Sequence, residues 1–267
     1  MTFEPHPKEF FSPQTAPARI LNLRDKLDAL NDAGIDRVVV EHFNAHFAQR
    51  SPESFVKDIL VEGLQTRQLV IGDDFRYGAK RAGNIATLQQ AGRDFGFEVE
   101  HMQTHLDDRG VRISSSAIRD ALKNGRLGEA AELLGRPYFI SGHVLHGRKL
   151  GRELGFPTLN LAVANRLHQR HSALSGIFVA RVHGIQENPM PAVASLGVRP
   201  TIEDAGRVLL ETHLFNFSGD VYGRLIRVEL IKKLRDEEKY PDLTTLQKAI
   251  DADATAALDF FKNECHV

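Results

Sequence analysis

The 267-residue sequence is poor in the residues that mark several protein classes. Its one cysteine, Cys265, excludes a disulfide framework and a structural zinc site built from cysteines, and it fits a reducing cytoplasm. No apolar run approaches the roughly 18 residues of a membrane-spanning helix. No charged and then apolar leader opens the chain, so we expect neither a membrane protein nor a secreted one.

The net positive charge and the aromatic content are low for a protein that binds nucleic acids. The 34 Lys and Arg residues are balanced by 35 Asp and Glu residues, aromatic residues make up 7%, and tryptophan is absent. Nucleic-acid binding depends on cations that neutralise phosphates and on rings that stack with bases. These values argue against a nucleic-acid partner. A hydrophobic fraction of 42% is enough for a proper core, and the length suggests one or two domains.

Strand-like and helical stretches alternate in the first half of the chain. Short apolar runs predict strands at Arg37–Glu41, 68–72 and 97–102. A helix is predicted after Ser51, which is a suitable N-cap before Pro52, and another around Ile85–Phe95. A helical pair is expected near residues 114–134. This alternation predicts a parallel sheet covered by helices.

The second half has the texture of an antiparallel β-structure. Gly135, Arg136 and Pro137 interrupt the earlier pattern, so we predict two domains, 1–135 and 136–267. Beyond the break, alternating runs such as "YGRLIRVELIKKL" and glycine-containing turns predict a small barrel or sandwich. One helix ends the chain. Its predicted apolar stripe consists of Leu243, Leu246, Ile250, Ala254, Ala257, Leu258 and Phe261.

The segment "GRKLGRELGFPTLN" suggests a phosphate site. Its glycines allow the backbone to approach a ligand closely, and its three cations lie beside them. Thr158 and Asn160 then offer a hydroxyl and an amide oxygen on one side of an extended segment, which suits Mg²⁺ held together with substrate phosphates. A mobile surface hairpin with a proline turn explains the composition equally well.

Glu211 lies in a strand-like run among leucines. A carboxylate in such surroundings is either paired or has a raised pKa, and a raised pKa is common in a general base. A structural ion pair with Arg199 or Arg207 is the alternative.

Four separated motifs together resemble the riboflavin kinase module of the bacterial bifunctional riboflavin kinase/FMN adenylyltransferase family. They are "GRELGFPTLNL", "SLGVRPT", "ETHLFNFSGDVYG" and "LRDEEKYPDLTTLQKAI", in that order, and the resemblance runs from about Tyr138 to the C-terminus. It implies a six-stranded antiparallel barrel with a C-terminal helix, which transfers the γ-phosphate of MgATP to riboflavin and forms FMN.

The resemblance also implies roles for individual residues. Glu211 would be the base, and Thr158 and Asn160 would contact Mg²⁺ and phosphate. Arg199 and Thr201 come from the "SLGVRPT" motif and are further candidates for the kinase site. The candidates for nucleotide and phosphate binding are Gly147, Arg148, Lys149, Gly151, Gly155 and Pro157.

Three motifs of the first half resemble the FMN adenylyltransferase domain of the same family. They are "TFEPHP", "VIGDDFRYG" and "ISSSAIR", and they imply a nucleotidyltransferase of doubly wound type that joins FMN and ATP into FAD. The serines of the third motif are expected to cap a helix that faces an anion. The candidate residues are Pro5, His6, Asp74, Phe75, Arg76, Ser114, Ser115, Ser116 and Arg119.

The family's first strand and its histidine-bearing phosphate segment would precede the "TFEPHP" motif. We therefore expect an adenylyltransferase domain that is incomplete at its N-terminus and impaired in forming FAD. The leading hypothesis is a cytoplasmic riboflavin kinase whose ligands are riboflavin, ATP and FMN, with no membrane or nucleic-acid partner; the sequence leaves its oligomeric state open. A flavin- or nucleotide-binding module without turnover is the alternative.

Overall fold

The protein is described by a computed structural model that covers residues 1–72, 74–146, 155–163, 172–198 and 208–264. The chain divides into two compact units. The first comprises Met1–Ala16 and Arg37–Arg112, and the second comprises Pro17–Asp36 and Ile113–Val267. No helix among the described residues has the length and apolar character needed to cross a membrane.

The regular elements follow one another in this order: β1 (Thr2–Glu4), α1 (Pro7–Phe11), α2 (Leu23–Asp32), β2 (Val40–His42), α3 (Ala45–Ala48), α4 (Pro52–Ser54), a π-helix (Phe55–Gly63), β3 (Gln68–Ile71), a 3₁₀-helix (Ala79–Arg81), α5 (Ile85–Phe95), β4 (Glu98–His101), α6 (Ser115–Lys123), α7 (Leu127–Leu134), β5 (Phe139–Leu145), β6 (Thr158–Ala162), β7 (Gly176–His183), β8 (Met190–Val198), β9 (Val208–Leu214), β10 (Leu225–Arg235) and α8 (Leu243–Glu264).

Parallel strand pairs and helices form the first unit. β1 pairs with β2, and β3 pairs with β4, both in parallel. The strand predicted at Arg37–Glu41 begins later, at Val40, because the three residues of β1 pair only with Val40–His42. The predicted cap of the following helix is present, since the Ser51 hydroxyl accepts a hydrogen bond from the Ser54 N–H at 3.1 Å. The core of this unit is rich in rings, from Phe43, Phe47, Phe55, Tyr77 and Phe97.

The second unit contains a closed six-stranded antiparallel barrel, which confirms the predicted fold. Its strand order is β10-β5-β6-β9-β8-β7. The period of two along the strands decides which side chains face inward. In β10, Ile226, Val228 and Leu230 are buried inside the barrel, whereas Arg227 and Glu229 are half-buried on the outside.

Three helices that precede the barrel strands in the sequence, α2, α6 and α7, belong to the same compact unit as the barrel. Buried side chains of α6 and α7, among them Leu122 and Leu133, share one hydrophobic cluster with barrel residues such as Ile140. α2 is attached to β5 because the Asn22 Nδ2 donates to the Ser141 carbonyl at 3.2 Å. Packing thus joins residues 17–36 and 113–134 to the barrel, and the proposed domain division at residues 135 and 136 stays a prediction.

The final helix covers the outer face of the barrel with most of the predicted stripe, and two of its seven residues differ. Ala254 and Ala257 are buried against Val193 and Phe215. Leu243 and Leu258 are exposed instead, at 58% and 36%. A charged residue, Asp253, occupies the buried face, because the Arg235 guanidinium at the end of β10 neutralises its carboxylate through two hydrogen bonds of 2.8 and 2.6 Å.

Candidate functional site

Three polar side chains form a row across the outer face of the barrel. Asn160 of β6 lies opposite Glu211 of β9, and Glu211 lies opposite Ser195 of β8. Side chains directly opposite each other in an antiparallel pair lie on the same face, with Cβ atoms roughly 4.5–5.5 Å apart. The barrel register thus brings together the predicted base, one predicted metal ligand and a serine that the sequence did not single out.

Thr158 lies on the same outer face as Asn160, two residues earlier in β6. The intervening Leu159 and the following Leu161 pack into the barrel core. The start of β6 is fixed to β9, since the ring Nδ1 of His213 donates to the Pro157 carbonyl at 2.9 Å. The two oxygen-bearing side chains predicted as metal contacts therefore share one side of a strand whose position is well defined.

Glu211 lines a cleft of about 820 Å³ on the outer face of the barrel. Glu211 itself is half-buried. The wall opposite it is the segment between β10 and α8, which contributes Glu237, Glu238, Lys239, Tyr240, Pro241 and Asp242. Leu209, Leu243 and Leu246 add apolar surface. The cleft therefore combines carboxylates with an apolar wall, which suits a ligand that has both hydroxyl groups and a ring.

A second cleft, of about 510 Å³, contains Thr158. Pro157 lines it together with a loop after β9, including Phe217, Asp220 and Tyr222. Gly155, two residues before Pro157 in the sequence, has a φ of +85°, a conformation that glycine adopts without strain.

The other kinase candidates lie outside the described residues. They are Gly147, Arg148, Lys149, Gly151, Arg199 and Thr201. Their predicted roles stay predictions, as does the alternative ion pair between Glu211 and Arg199 or Arg207.

The donor set of Thr158 and Asn160 fits a magnesium ion that retains water. The Asn160 Nδ2 is turned toward the Thr158 carbonyl at 3.4 Å, and a hydroxyl oxygen and an amide oxygen are hard ligands. Among the residues that the structure describes, no group of three His, Cys, Asp or Glu side chains could hold a metal. A site here would therefore take most of its ligands from substrate phosphates and water, as magnesium commonly does.

Two of the first-unit candidates line an aromatic pocket of about 830 Å³. Phe75 and Arg76 line it, and Phe75 stacks on Tyr77 with ring centroids 5.8 Å apart. Asp74 is exposed beside them. His6, which follows Pro5, is the N-cap of α1, and its Nδ1 accepts a hydrogen bond from the Lys8 N–H at 3.2 Å.

The "ISSSAIR" candidates lie in the second unit, at the start of α6. Ser114 is the N-cap and accepts from the Ala117 N–H at 3.2 Å, and Ser115 and Ser116 form the first turn. Arg119 donates to the Ala18 carbonyl at 2.6 Å and to the Ser115 carbonyl at 3.1 Å, and its burial lowers the pKa of its guanidinium. Arg119 thus holds the segment before α2 to α6, and its role toward an anion stays a prediction.

Comparison with known proteins agrees with this architecture. The Riboflavin kinase family model matches residues 134–261, and the FAD synthetase model matches residues 1–117. The bifunctional riboflavin kinase/FMN adenylyltransferase of Escherichia coli (strain K12) is 43% identical over 98% of this chain and 82% of its own length. The chain belongs to this family.

Two further similarities support the assignment. The enzyme of the same description from Haemophilus influenzae is 43% identical over 98% of this chain and 83% of its own length. The crystal structure of a macrolide-efflux protein from Streptococcus pneumoniae superposes with a TM-score of 0.69 at 28% identity, covering 92% of this chain and 80% of that one. The fold of this chain is thus shared with a solved structure over most of its length.

Two residues of the cleft escaped the sequence analysis. Ser195 begins the "SLGVRPT" motif and Glu237 lies within "LRDEEKYPDLTTLQKAI", so both occur in motifs that carried the resemblance. Neither motif indicates which side chain faces the cleft. The signal that identifies them is the strand register and the hydrogen bond from the Ser195 Oγ to the Glu237 Oε1, at 3.1 Å.

Proposed function

We propose that this chain phosphorylates the 5′-hydroxyl of riboflavin with MgATP, and that its FAD synthetase half joins FMN and ATP into FAD and pyrophosphate. The row of Asn160, Glu211 and Ser195 carries the first part of the proposal, because Glu211 lines a cleft and lies directly opposite a predicted metal ligand on the neighbouring strand. Membership of the family supports both parts.

Glu211 is the proposed general base. A primary alcohol is a weak nucleophile, and phosphoryl transfer needs it positioned in line with the leaving group. Glu211 would accept the proton of the 5′-hydroxyl as that oxygen bonds to phosphorus, while ADP leaves with the former bridging oxygen. The apolar wall of the same cleft, which includes Tyr240 and Leu246, is placed to receive the flavin ring.

Thr158 and Asn160 would hold the metal that accompanies ATP. When bound, Mg²⁺ neutralises charge on the phosphate oxygens. The two side chains contribute by fixing where the phosphates lie relative to Glu211, since Asn160 and Glu211 face each other across two strands. Positioning and charge neutralisation account for most of the catalysis in phosphoryl transfer.

The aromatic pocket of the first unit is the proposed flavin site for adenylyl transfer. The half-buried Phe75, whose ring is supported by stacking on the buried Tyr77, offers a ring face, and the exposed Arg76 adds a cation. A flat aromatic ring with an attached phosphate is complementary to such a surface. We place both activities in the cytoplasm, since a chain with a single cysteine suits a reducing compartment.

One assay tests the proposal. The full chain is incubated with riboflavin and MgATP, and FMN and FAD are separated by chromatography. FMN that depends on both protein and Mg²⁺ supports the kinase assignment. Riboflavin binding without any ADP or FMN would overturn it in favour of a binding module. FAD in a parallel reaction supplied with FMN tests the second half.

A further inference from the structure

Glu237 occupies a prepared position beside the proposed base. It lies in the cleft that contains Glu211, two residues after the end of β10. Its carboxylate rests directly on Gly197, where an added Cβ would clash with both carboxylate oxygens and must displace them. The Ser195 Oγ donates to the Glu237 Oε1 at 3.1 Å. Strand β8 thus accommodates this carboxylate in two ways: Ser195 donates a hydrogen bond to it, and Gly197 has no side chain to occupy its space.

The segment that carries Glu237 is anchored at both ends. Arg235 makes a two-point ion pair with Asp253 of α8 and donates to the Asp236 carbonyl at 3.0 Å. At the other end, the Thr245 N–H donates to the Asp242 Oδ1 at 2.7 Å. The segment is therefore attached to α8 at both ends, and the exposed Glu237 side chain is held within it by the hydrogen bond from Ser195.

We propose that Glu237, together with Ser195, binds the secondary hydroxyls of the ribityl chain and thereby selects acceptors that carry a polyol. The inference rests on the proposed kinase function. Riboflavin presents its reacting 5′-hydroxyl at the end of a chain with hydroxyls on the adjacent carbons. Ser195 lies directly across from Glu211, so a chain whose terminal hydroxyl meets Glu211 brings its neighbouring hydroxyls to Ser195 and Glu237.

This arrangement also sets the direction in which the substrate lies. The apolar wall of Leu209, Tyr240 and Leu246 is part of the same cleft as the carboxylates. A flavin whose chain points to Glu211 and Glu237 can place its ring against that wall. An ionised carboxylate only accepts hydrogen bonds. It can therefore bind a row of hydroxyl donors, but it makes no hydrogen bond with a substrate that lacks these hydroxyls.

The experiment compares riboflavin with an analogue that retains the 5′-hydroxyl but lacks one secondary hydroxyl of the ribityl chain. In the wild-type chain, loss of a hydrogen bond to a charged group should lower kcat/KM roughly tenfold or more. Glu237→Gln should raise KM for riboflavin by a similar factor with kcat little changed, and it should discriminate much less between the two acceptors. Gly197→Ala should behave in the same way, since its methyl group displaces the carboxylate.

Glu187→Gln is the matched control, because Glu187 is an exposed carboxylate in the stretch between β7 and β8 and does not line this cleft. It should discriminate as the wild type does. The proposal would be overturned if the wild type and a Glu237→Gln variant with the wild-type circular dichroism spectrum discriminated equally between riboflavin and the analogue. Glu237 would then have only a structural role, in holding its loop to β8. Riboflavin binding followed by flavin fluorescence gives a second measurement that needs no turnover. A wild-type chain that binds riboflavin but forms no FMN would contradict the proposed function alone, and the binding data would still decide the role of Glu237.

Discussion

Asp25 of α2 is a buried acid whose replacement should separate two effects, hydrogen bonding and charge. It is 1% exposed, and its Oδ2 accepts a hydrogen bond from the Ser141 N–H at 3.2 Å. Within the described part of the chain, its Oδ1 and the Ser141 Oγ are both buried without a partner. Burial raises the pKa of Asp25, and the nearby Ser141 hydroxyl, followed by the hydrogen bond from the Ser141 N–H, opposes that shift.

Asp25→Ala should therefore destabilise the contact between α2 and the barrel. It leaves the Ser141 N–H buried without its acceptor, which costs about 1–3 kcal/mol of unfolding free energy. Hydrogen exchange of residues 17–36, followed by mass spectrometry, should become roughly 5- to 150-fold faster. Asp25→Asn should cost little, because its amide oxygen can accept from the Ser141 N–H and its amide N–H₂ can donate to the Ser141 Oγ.

The pH dependence follows from the direction of the pKa shift. A native pKa above the ordinary 3.8 means that the folded protein binds more protons than the unfolded chain between 3.8 and the raised value. The free energy of unfolding should therefore fall as pH rises through that interval. In Asp25→Asn this contribution is absent, so in urea unfolding the wild-type protein should lose stability relative to the variant as the pH rises above 3.8. Parallel curves for the two proteins, or unchanged exchange in Asp25→Ala, would refute the reasoning.

Three further predictions concern the barrel. Glu211→Gln should lower kcat about 10²- to 10⁴-fold with riboflavin affinity little changed; steady-state kinetics and flavin fluorescence measure both, and a loss confined to KM would assign Glu211 to substrate positioning. Asn160→Ala should weaken the use of MgATP, and added Mg²⁺ should restore part of the activity; insensitivity to Mg²⁺ in a titration would exclude metal ligation. Fragments 113–267 and 137–267 should both form FMN, but the longer one should melt several degrees higher, since each buried Leu or Ile of α6 and α7 contributes about 1.5–3 kcal/mol; equal melting midpoints would contradict the shared core.

Features with a short-range cause were predictable from the sequence. The alternation of buried and half-buried residues in β10 follows from a period of two, and the cap at Ser51 needs only the residues that follow it. The common side of Thr158 and Asn160 has the same origin. These predictions depend on the local conformation of the chain, which a few neighbouring residues determine.

Features that depend on distant partners were not predictable. Asp25 bonds to Ser141 across 116 positions, and Ser195 bonds to Glu237 across 42. The stripe predicted for α8 was wrong at Leu243 and Leu258, and it missed the buried Asp253, because a count of apolar residues does not reveal that Arg235 neutralises this carboxylate. Each of these contacts exists only after the barrel has set the register of its strands.

Glu211 shows that the neighbours of a residue in the sequence can give a wrong picture of its surroundings in the fold. Its chain neighbours Leu210 and Thr212 are buried, but successive side chains of a strand point to opposite faces, so those neighbours describe the inside of the barrel. The environment of Glu211 is formed by its cross-strand partners Asn160 and Ser195 on the outer face. Leu209, two residues earlier on the same face of β9, adds apolar surface to the cleft that Glu211 lines. The polar groups beside Glu211 determine which groups of a substrate can bind there, and their row continues through Ser195 to Glu237.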